Sequence, residues 1–428
     1  MYNKITLPNG VRVVADKMTS VRSASLGVFI DVGSRHETEP FFGAAHFIEH
    51  MVFKGTHTRS AEHLAQFMDA VGGRVNAGTA HDSTVFYGTV IDSRLGELAE
   101  VLADMTLNSL LDEADVDAER TVIFEEIDMY EDSPENVVSE RLHNEIFGGS
   151  SLSHNILGTR ESLAALTSDA LREFMRTHYV GGAMVIASDA LREFMRTHYV
   201  GGAMVIALAG NYSDADLAKI CDVFSAIPSG AAPTPLAAQY KTANVTTSKD
   251  IEQVHLSLAF PGLSYGEDRR GRALRMLSSI LGGGMSSRLF QEVREKRGLC
   301  YGIYSQASGF ADTGVVTINT ATNRDAQDEM LSVILAEIAR IRDLGVTSDE
   351  LGRELEQITA NVLMSLESSM ARMMSCGNNE LRRRPILTTD ELLACYESVA
   401  AQELRDIASE LLRTEMMSMS VLGRGVEM

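Results

Sequence analysis

Cysteine is scarce in this chain: Cys221, Cys300, Cys376 and Cys395 are the only four in 428 residues, and no two lie close together. That spacing excludes a disulfide framework and a cysteine zinc cage, and it suits a reducing compartment. Long apolar runs are missing too. None approaches the roughly eighteen residues needed to cross a bilayer, so no membrane span is expected. The opening residues, MYNKITLPNGVRVVAD, lack a basic-then-apolar leader and go straight into alternating strand residues around a Pro8-Asn9-Gly10 turn. These absences give a cytoplasmic protein as the expectation. Positive charge is in deficit: 38 Lys and Arg against 59 Asp and Glu leave a net charge of −21. Such a balance disfavours nucleic acid and anionic membranes as partners and favours cationic ones, although acidity for solubility explains the count equally well.

What is present is ordinary globular composition, 45% hydrophobic and 23% charged. A chain of 428 residues exceeds what one core usually spans, which predicts two domains. β-branched and aromatic residues predict strands over 4–16, 22–32 and 83–91. Helical periodicity predicts helices over 43–54, 60–71, 93–110, 112–131 and 134–147, with a strand, AMVIALAGN, closing this half near residue 211. The segment RVNAGT at 74–79 reads as a turn. The tract PSGAAPTPLAAQY at 228–240 holds three prolines among small residues and reads as a linker. Beyond it the pattern restarts: a strand in EQVHLSLAF, helices from about 266 and 285, strands in YGIYSQAS and GVVTINTAT, then long helices to the end. The expectation is an α+β fold of two similar domains, 1–227 and 241–428, from duplication of one unit.

Residues 168–187, SDALREFMRTHYVGGAMVIA, recur without a change at 188–207. Functional repeats diverge, and repeat architectures need three or more units to share a core. Two perfect copies point to a recent tandem duplication or an error of sequence assembly. Each copy can supply one helix and one strand. Because the second runs directly into LAGN, it is expected to fill the strand position and to displace the first.

The stretch GAAHFIEHMVFKGT carries His46 and His50 one helical turn apart, so both imidazoles reach one ion, with Glu49 bordering that face. H-x-x-E-H is the inverted zinc-protease order, in which the glutamate serves as general base. A polar helix face carrying two histidines is the plain alternative, and His63 on the next helix reads as that kind. A third ligand tips the balance. In ERTVIFEEID, Glu119 and Glu126 are seven residues apart and share one helix face, while Glu125 points away. One of the pair ligates and the other orients a ligand from behind. The run Val122-Ile123-Phe124 reads as burying this helix, where unpaired carboxylates are costly and a metal accounts for them.

At this point the sequence resembles the pitrilysin, insulysin and mitochondrial processing peptidase family of inverted-motif zinc peptidases, nearest its bacterial processing-peptidase-like branch. LPNGVRVV, GSRHE, GAAHFIEHMVFKGT, GGRVNAGTAHDSTVFY, ERTVIFEEIDMYEDSPE and GGGMSSRLFQEVREKRGLCYGIYS follow in family order. The family spacing lands the third metal ligand on Glu126 and its supporting glutamate on Glu119. The resemblance implies two homologous domains, each a mostly antiparallel sheet flanked by helices, closing like a clamshell, with metal in the first alone. It implies that Arg294 and Tyr301 reach substrate from the second domain, and that Asn76 and Ala77 lie on an edge strand that pairs with an extended peptide. The duplication departs from the family, which has one copy, but touches no matched position. The long glycine-rich loop of non-catalytic processing subunits is absent.

The functional expectation is a zinc endopeptidase with one Zn²⁺ per chain on His46, His50 and Glu126. Glu49 acts as general base, and Tyr301 with the metal stabilises the oxyanion. Substrates are extended or presequence-like peptides, with basic ones favoured by the acidic balance. The alternative is a non-catalytic or partner-dependent subunit of a processing-peptidase-like assembly. A homodimer, or a heterodimer with a homologous subunit, follows from the same resemblance.

Overall fold

A computed structural model describes residues 2–39, 41–71, 74–166, 200–227, 229–230 and 234–425. Its first sheet contains β1 (Asn3–Thr6), β2 (Arg12–Lys17), β3 (Ser23–Ile30), β4 (Arg74–Thr79), β5 (Thr84–Ile91) and β6 (Met204–Gly210), in the order β1-β2-β6-β3-β5-β4. Every neighbouring pair is antiparallel except β2 with β6. The second sheet contains β7 (Asn244–Ser248), β8 (Gln253–Pro261), β9 (Ile303–Gly309), β10 (Gly314–Asn323) and β11 (Ser418–Gly423), in the order β7-β11-β8-β10-β9. Here β7 and β11 form the parallel pair, and the other neighbours are antiparallel. The sequence β2-β6-β3-β5-β4 therefore has its counterpart in β7-β11-β8-β10-β9. One α+β plan occurs twice, as duplication predicts.

The chain divides into two compact units: residues 1–127, 154–236 and 364–386 form one, and residues 128–153, 237–363 and 387–428 form the other. Each takes a helix from the other half of the chain, an exchange that a single cut at 228–240 does not contain. In unit 1 the borrowed helix is Ser369–Leu381, whose Met373, Cys376 and Leu381 pack on Val14, Phe29, Val205, Ala207 and Ala209. The opposite face of the same sheet presents Val13, Ala15, Leu26, Val28, Ile30, Ile206 and Leu208 to the main core. Strand alternation thus feeds two apolar layers, so β6 reads as an unbroken apolar run. In unit 2 the borrowed helix is Pro134–Ile146, whose Leu142 and Ile146 pack with Ala259 and Val315.

The helices of the first part of the chain are α1 (Ala44–Met51), α2 (Ala61–Ala70), α3 (Leu95–Asn108), α4 (Glu113–Asp132) and, after the Pro134–Ile146 helix (α5), α6 (Arg160–Ala165). Beyond Ile127, α4 passes out of unit 1. Three sequence expectations change here. RVNAGT is strand β4, paired along its length with β5, as the resemblance implies, and not the turn that its composition alone suggests. Helix α4 is not largely buried: Val116, Glu119, Ile123 and Ile127 form one buried stripe, while Val122 is 49% exposed. The short strands β7 and β11 are additions to the expected elements, the second inside a region expected to be helical. Strand β6 does come from the second copy of the repeat, as expected. The first copy, 168–187, and the helix of the second lie outside the described residues.

Candidate metal centre

Helix α1 is short and starts without a side-chain cap of its own, because its N-cap is Gly43, held at φ +94° where other residues are strained. The missing cap comes from Glu37. One carboxylate oxygen accepts the Gly43 amide and the other the Ala45 amide, each at 2.7 Å. Glu37 is buried. Burial pushes its carboxyl well above the ordinary range, and the two amide donors pull it back. The loop carrying Glu37 is itself pinned to the turn between β4 and β5. Ser34 Oγ meets His81 Nδ1 at 2.9 Å, and buried Arg35 pairs with Asp82 at 2.9 Å.

On α1, His46 Nε2 and His50 Nε2 each lie 3.6 Å from Glu126 Oε2 on α4. His46, His50 and Glu126 are a candidate metal group among the described residues, with ligand atoms all within 4.8 Å of one another. A tetrahedral zinc bonded at about 2.0–2.1 Å sets its ligand atoms about 3.4 Å apart, close to these separations. Burial, with His50 beside it, pushes His46 down to about 3, so its imidazole is neutral and has a lone pair to give. Two imidazoles and one carboxylate are a donor set that zinc takes, and the residues fit the ion.

Behind the ligands the two histidines differ. His50 donates from Nδ1 to Glu119 Oε1 at 2.8 Å, and Glu119 Oε2 is paired with the Lys54 ammonium. Burial raises the Glu119 carboxyl, but the hydrogen bonds from Lys54 and His50 outweigh it and hold the group below its ordinary range. His46 Nδ1 is buried with no partner among the described residues. Glu119 and Glu126, seven residues apart on one face of α4, both meet α1.

Glu49 is partly buried, and burial raises its carboxyl from the ordinary range while Thr79 pulls it down. Thr79 Oγ1 donates to Glu49 Oε2 at 2.6 Å and stands at the end of β4. Thr79, Glu37 and Lys54 lie within segments that carry the resemblance, but nothing in their spacing marks a role, because each reaches the site through tertiary contact. Replacing Thr79 by Val is expected to lower kcat roughly tenfold, the scale of one hydrogen bond to a charged group, with zinc content unchanged. Steady-state kinetics beside metal analysis would check this, and a wild-type kcat would remove Thr79 from the machinery.

Asn76 and Ala77 lie on β4, the edge strand of the first sheet, opposite Tyr87 and Phe86 of β5. The Ala77 amide is hydrogen-bonded by Asn76 Oδ1 at 2.9 Å, so the side chain blunts the exposed edge. Arg294 belongs to unit 2 and sits in a π-helical stretch, Phe290–Glu295, in place of the ordinary helix expected there. Its guanidinium carbon lies 4.6 Å from the Phe290 ring centroid and 5.2 Å from that of Tyr301, which is 86% exposed. His63 is exposed on α2 and is not in the metal group.

Residues 12–160 match the family model described as insulinase, peptidase family M16, and residues 186–358 match the model described as the peptidase M16 inactive domain. A Bacillus subtilis protein named uncharacterized zinc protease YmxG is 37% identical over 96% of both chains. A protein of the same description from Streptomyces coelicolor is 38% identical over 98% of this chain and 89% of its own. Among solved structures, a protease from Helicobacter pylori is similar in fold, with a TM-score of 0.87 and 20% identity over 99% of each chain. A Pseudomonas fluorescens structure described as a peptidase M16 inactive domain has a TM-score of 0.88 at 20% identity, over 100% of this chain and 98% of its own. No helix among the described residues is long and apolar enough to cross a membrane. With the inverted motif intact and both family models matched, the chain belongs to the insulinase family of peptidases, M16.

Proposed function

We propose that this chain is a zinc-dependent endopeptidase acting on extended peptides, with its metal on His46, His50 and Glu126. The observation that carries the proposal is the convergence of the two Nε2 atoms and one carboxylate oxygen, with Glu49 on the same helix and outside the ligand set. Bound zinc supplies Lewis acidity, which makes water more acidic and polarises a scissile carbonyl. Glu49 takes a proton from the attacking water and delivers one to the departing amine. Thr79 holds the Glu49 carboxyl in place, and Glu119 fixes the His50 ring. The edge of β4 at Asn76 and Ala77 supplies main-chain partners for an extended substrate, once the Asn76 side chain releases the Ala77 amide. Arg294 and Tyr301 are assigned to substrate by family spacing, and the exposure of Tyr301 leaves its ring accessible. A basic peptide suits the net charge of −21. One zinc per chain, a cytoplasmic setting and a dimer with itself or a homologous subunit complete the proposal.

The test is cleavage of unstructured peptides, basic and acidic, followed by mass spectrometry before chelation, after it, and after zinc is restored. Cleavage that disappears with the metal and returns with it is expected. Cleavage indifferent to chelation would sink the metal mechanism. A chain that holds zinc and cleaves nothing alone, but cleaves beside a homologous partner, would establish the partner-dependent alternative.

A further inference from the structure

We propose that Lys54 is a positioning residue of the metal centre, acting through Glu119 to fix the His50 imidazole. This rests on the reading of His46, His50 and Glu126 as metal ligands. Lys54 lies four residues after His50, just past the end of α1, with its amide on the Met51 carbonyl at 3.0 Å. That places its ammonium at the C-terminal end of the helix carrying the ligands, where positive charge is favoured. Its partner is Glu119 Oε2, while Glu119 Oε1 accepts from His50 Nδ1 at 2.8 Å. The Glu119 side chain is only 7% exposed.

Both oxygens are therefore committed, each to a different group. A carboxylate held by one hydrogen bond can turn about its terminal torsion, which is broad. Held at both oxygens, its plane is set, and the imidazole that donates to it follows. The outer nitrogen of His50 thus fixes the direction of Nε2, the atom 3.6 Å from Glu126 Oε2. His46 has no such support: its Nδ1 finds no partner among the described residues. The burden of orienting the ligand set falls on the Lys54–Glu119–His50 chain. Without Lys54, Glu119 would be a buried carboxylate with a single hydrogen-bond partner, free to leave His50 for water or another donor.

A plain surface ion pair would leave the metal indifferent to Lys54, since such pairs contribute little. The two cases separate in the full chain with four variants: Lys54→Met, Lys54→Arg, Glu119→Gln, and Lys54→Met combined with Glu119→Gln. Zinc affinity is measured by competition with a chromophoric chelator, and ligand geometry from the visible spectrum of the cobalt(II)-substituted protein. We expect Lys54→Met to weaken zinc about tenfold, the scale of a lost outer-shell partner, and to alter the cobalt bands. Lys54→Arg restores both, and the double variant binds no more weakly than Glu119→Gln alone. Wild-type affinity and cobalt spectrum in Lys54→Met would overturn the proposal. So would losses that add in the double variant, because Lys54 would then not act through Glu119. If the wild-type chain binds no zinc, the ligand assignment itself fails; if it binds zinc and Lys54→Met matches it, only the role of Lys54 fails.

Discussion

Glu49→Gln is expected to keep its zinc and lose peptide cleavage by about 10²–10⁴-fold in kcat, the usual worth of a placed general base. The two halves of that outcome come from different parts of the geometry. Glu49 is outside the group of His46, His50 and Glu126, so an isosteric amide leaves the donor set intact. What the amide cannot do is accept a proton. In the native site, burial raises the Glu49 carboxyl, and the hydroxyl and backbone of Thr79 together with nearby His50 counter that rise. The net rise makes Glu49 a better base than an exposed glutamate. The amide oxygen of the variant would still accept from Thr79, so KM should change little. Metal analysis, kcat and KM on one preparation check all three statements. Activity within tenfold of wild type would remove Glu49 as the base, and loss of zinc would make it a ligand or a support for one.

Much of this site is legible in the sequence because its parts obey helical periodicity. His46 and His50 share a face at a spacing of four, and Glu119 and Glu126 share one at a spacing of seven, whatever the tertiary fold does. The groups that tune the site carry no such signature. Thr79 sits 30 residues from Glu49 on a strand whose Asn-Ala-Gly composition looks like a turn. It is a strand because β5 pairs with it, and strand propensity depends on such context. Strand β7, NVTTS, is short and its burial alternates weakly, while β11 follows a run of helices and is specified by β8 and β7 on either side. The exchange of helices between units is invisible locally, since Ser369–Leu381 is as amphipathic as helices that pack on their own half. The burial of α4 is overestimated from sequence because three consecutive apolar residues, Val122 to Phe124, span most of a helical turn. Only Ile123 among them points fully inward.

Glu37→Ala is the second large effect to expect, and it is one of stability joined to metal affinity. The substitution removes both acceptors from the first turn of α1, leaving the Gly43 and Ala45 amides without the carboxylate that took them at 2.7 Å. Each orphaned buried donor costs about 1–3 kcal/mol, and relief of the buried carboxyl offsets part of it, for a net loss of about 2–4 kcal/mol. In a unit of this size that lowers the melting temperature by about 5–10 °C. Gly43 has no side chain to take over, and a Cβ there would meet the Leu157 carbonyl at 2.7 Å, so a local repair by substitution is blocked. His46 is the third residue of the helix, directly after the amide that Glu37 holds. A frayed first turn moves that ligand, and zinc affinity should fall roughly tenfold even where the protein remains folded. Glu37→Gln keeps one acceptor but turns an NH₂ toward the other amide, so its stability should lie between wild type and the Ala variant. Thermal melts and zinc competition below the onset of unfolding separate the two effects. Unchanged stability in the Ala variant would mean that Glu37 does not hold the helix. A drop in stability with unchanged zinc affinity would confine its role to the fold and leave the geometry of His46 to α4 and the core beneath it.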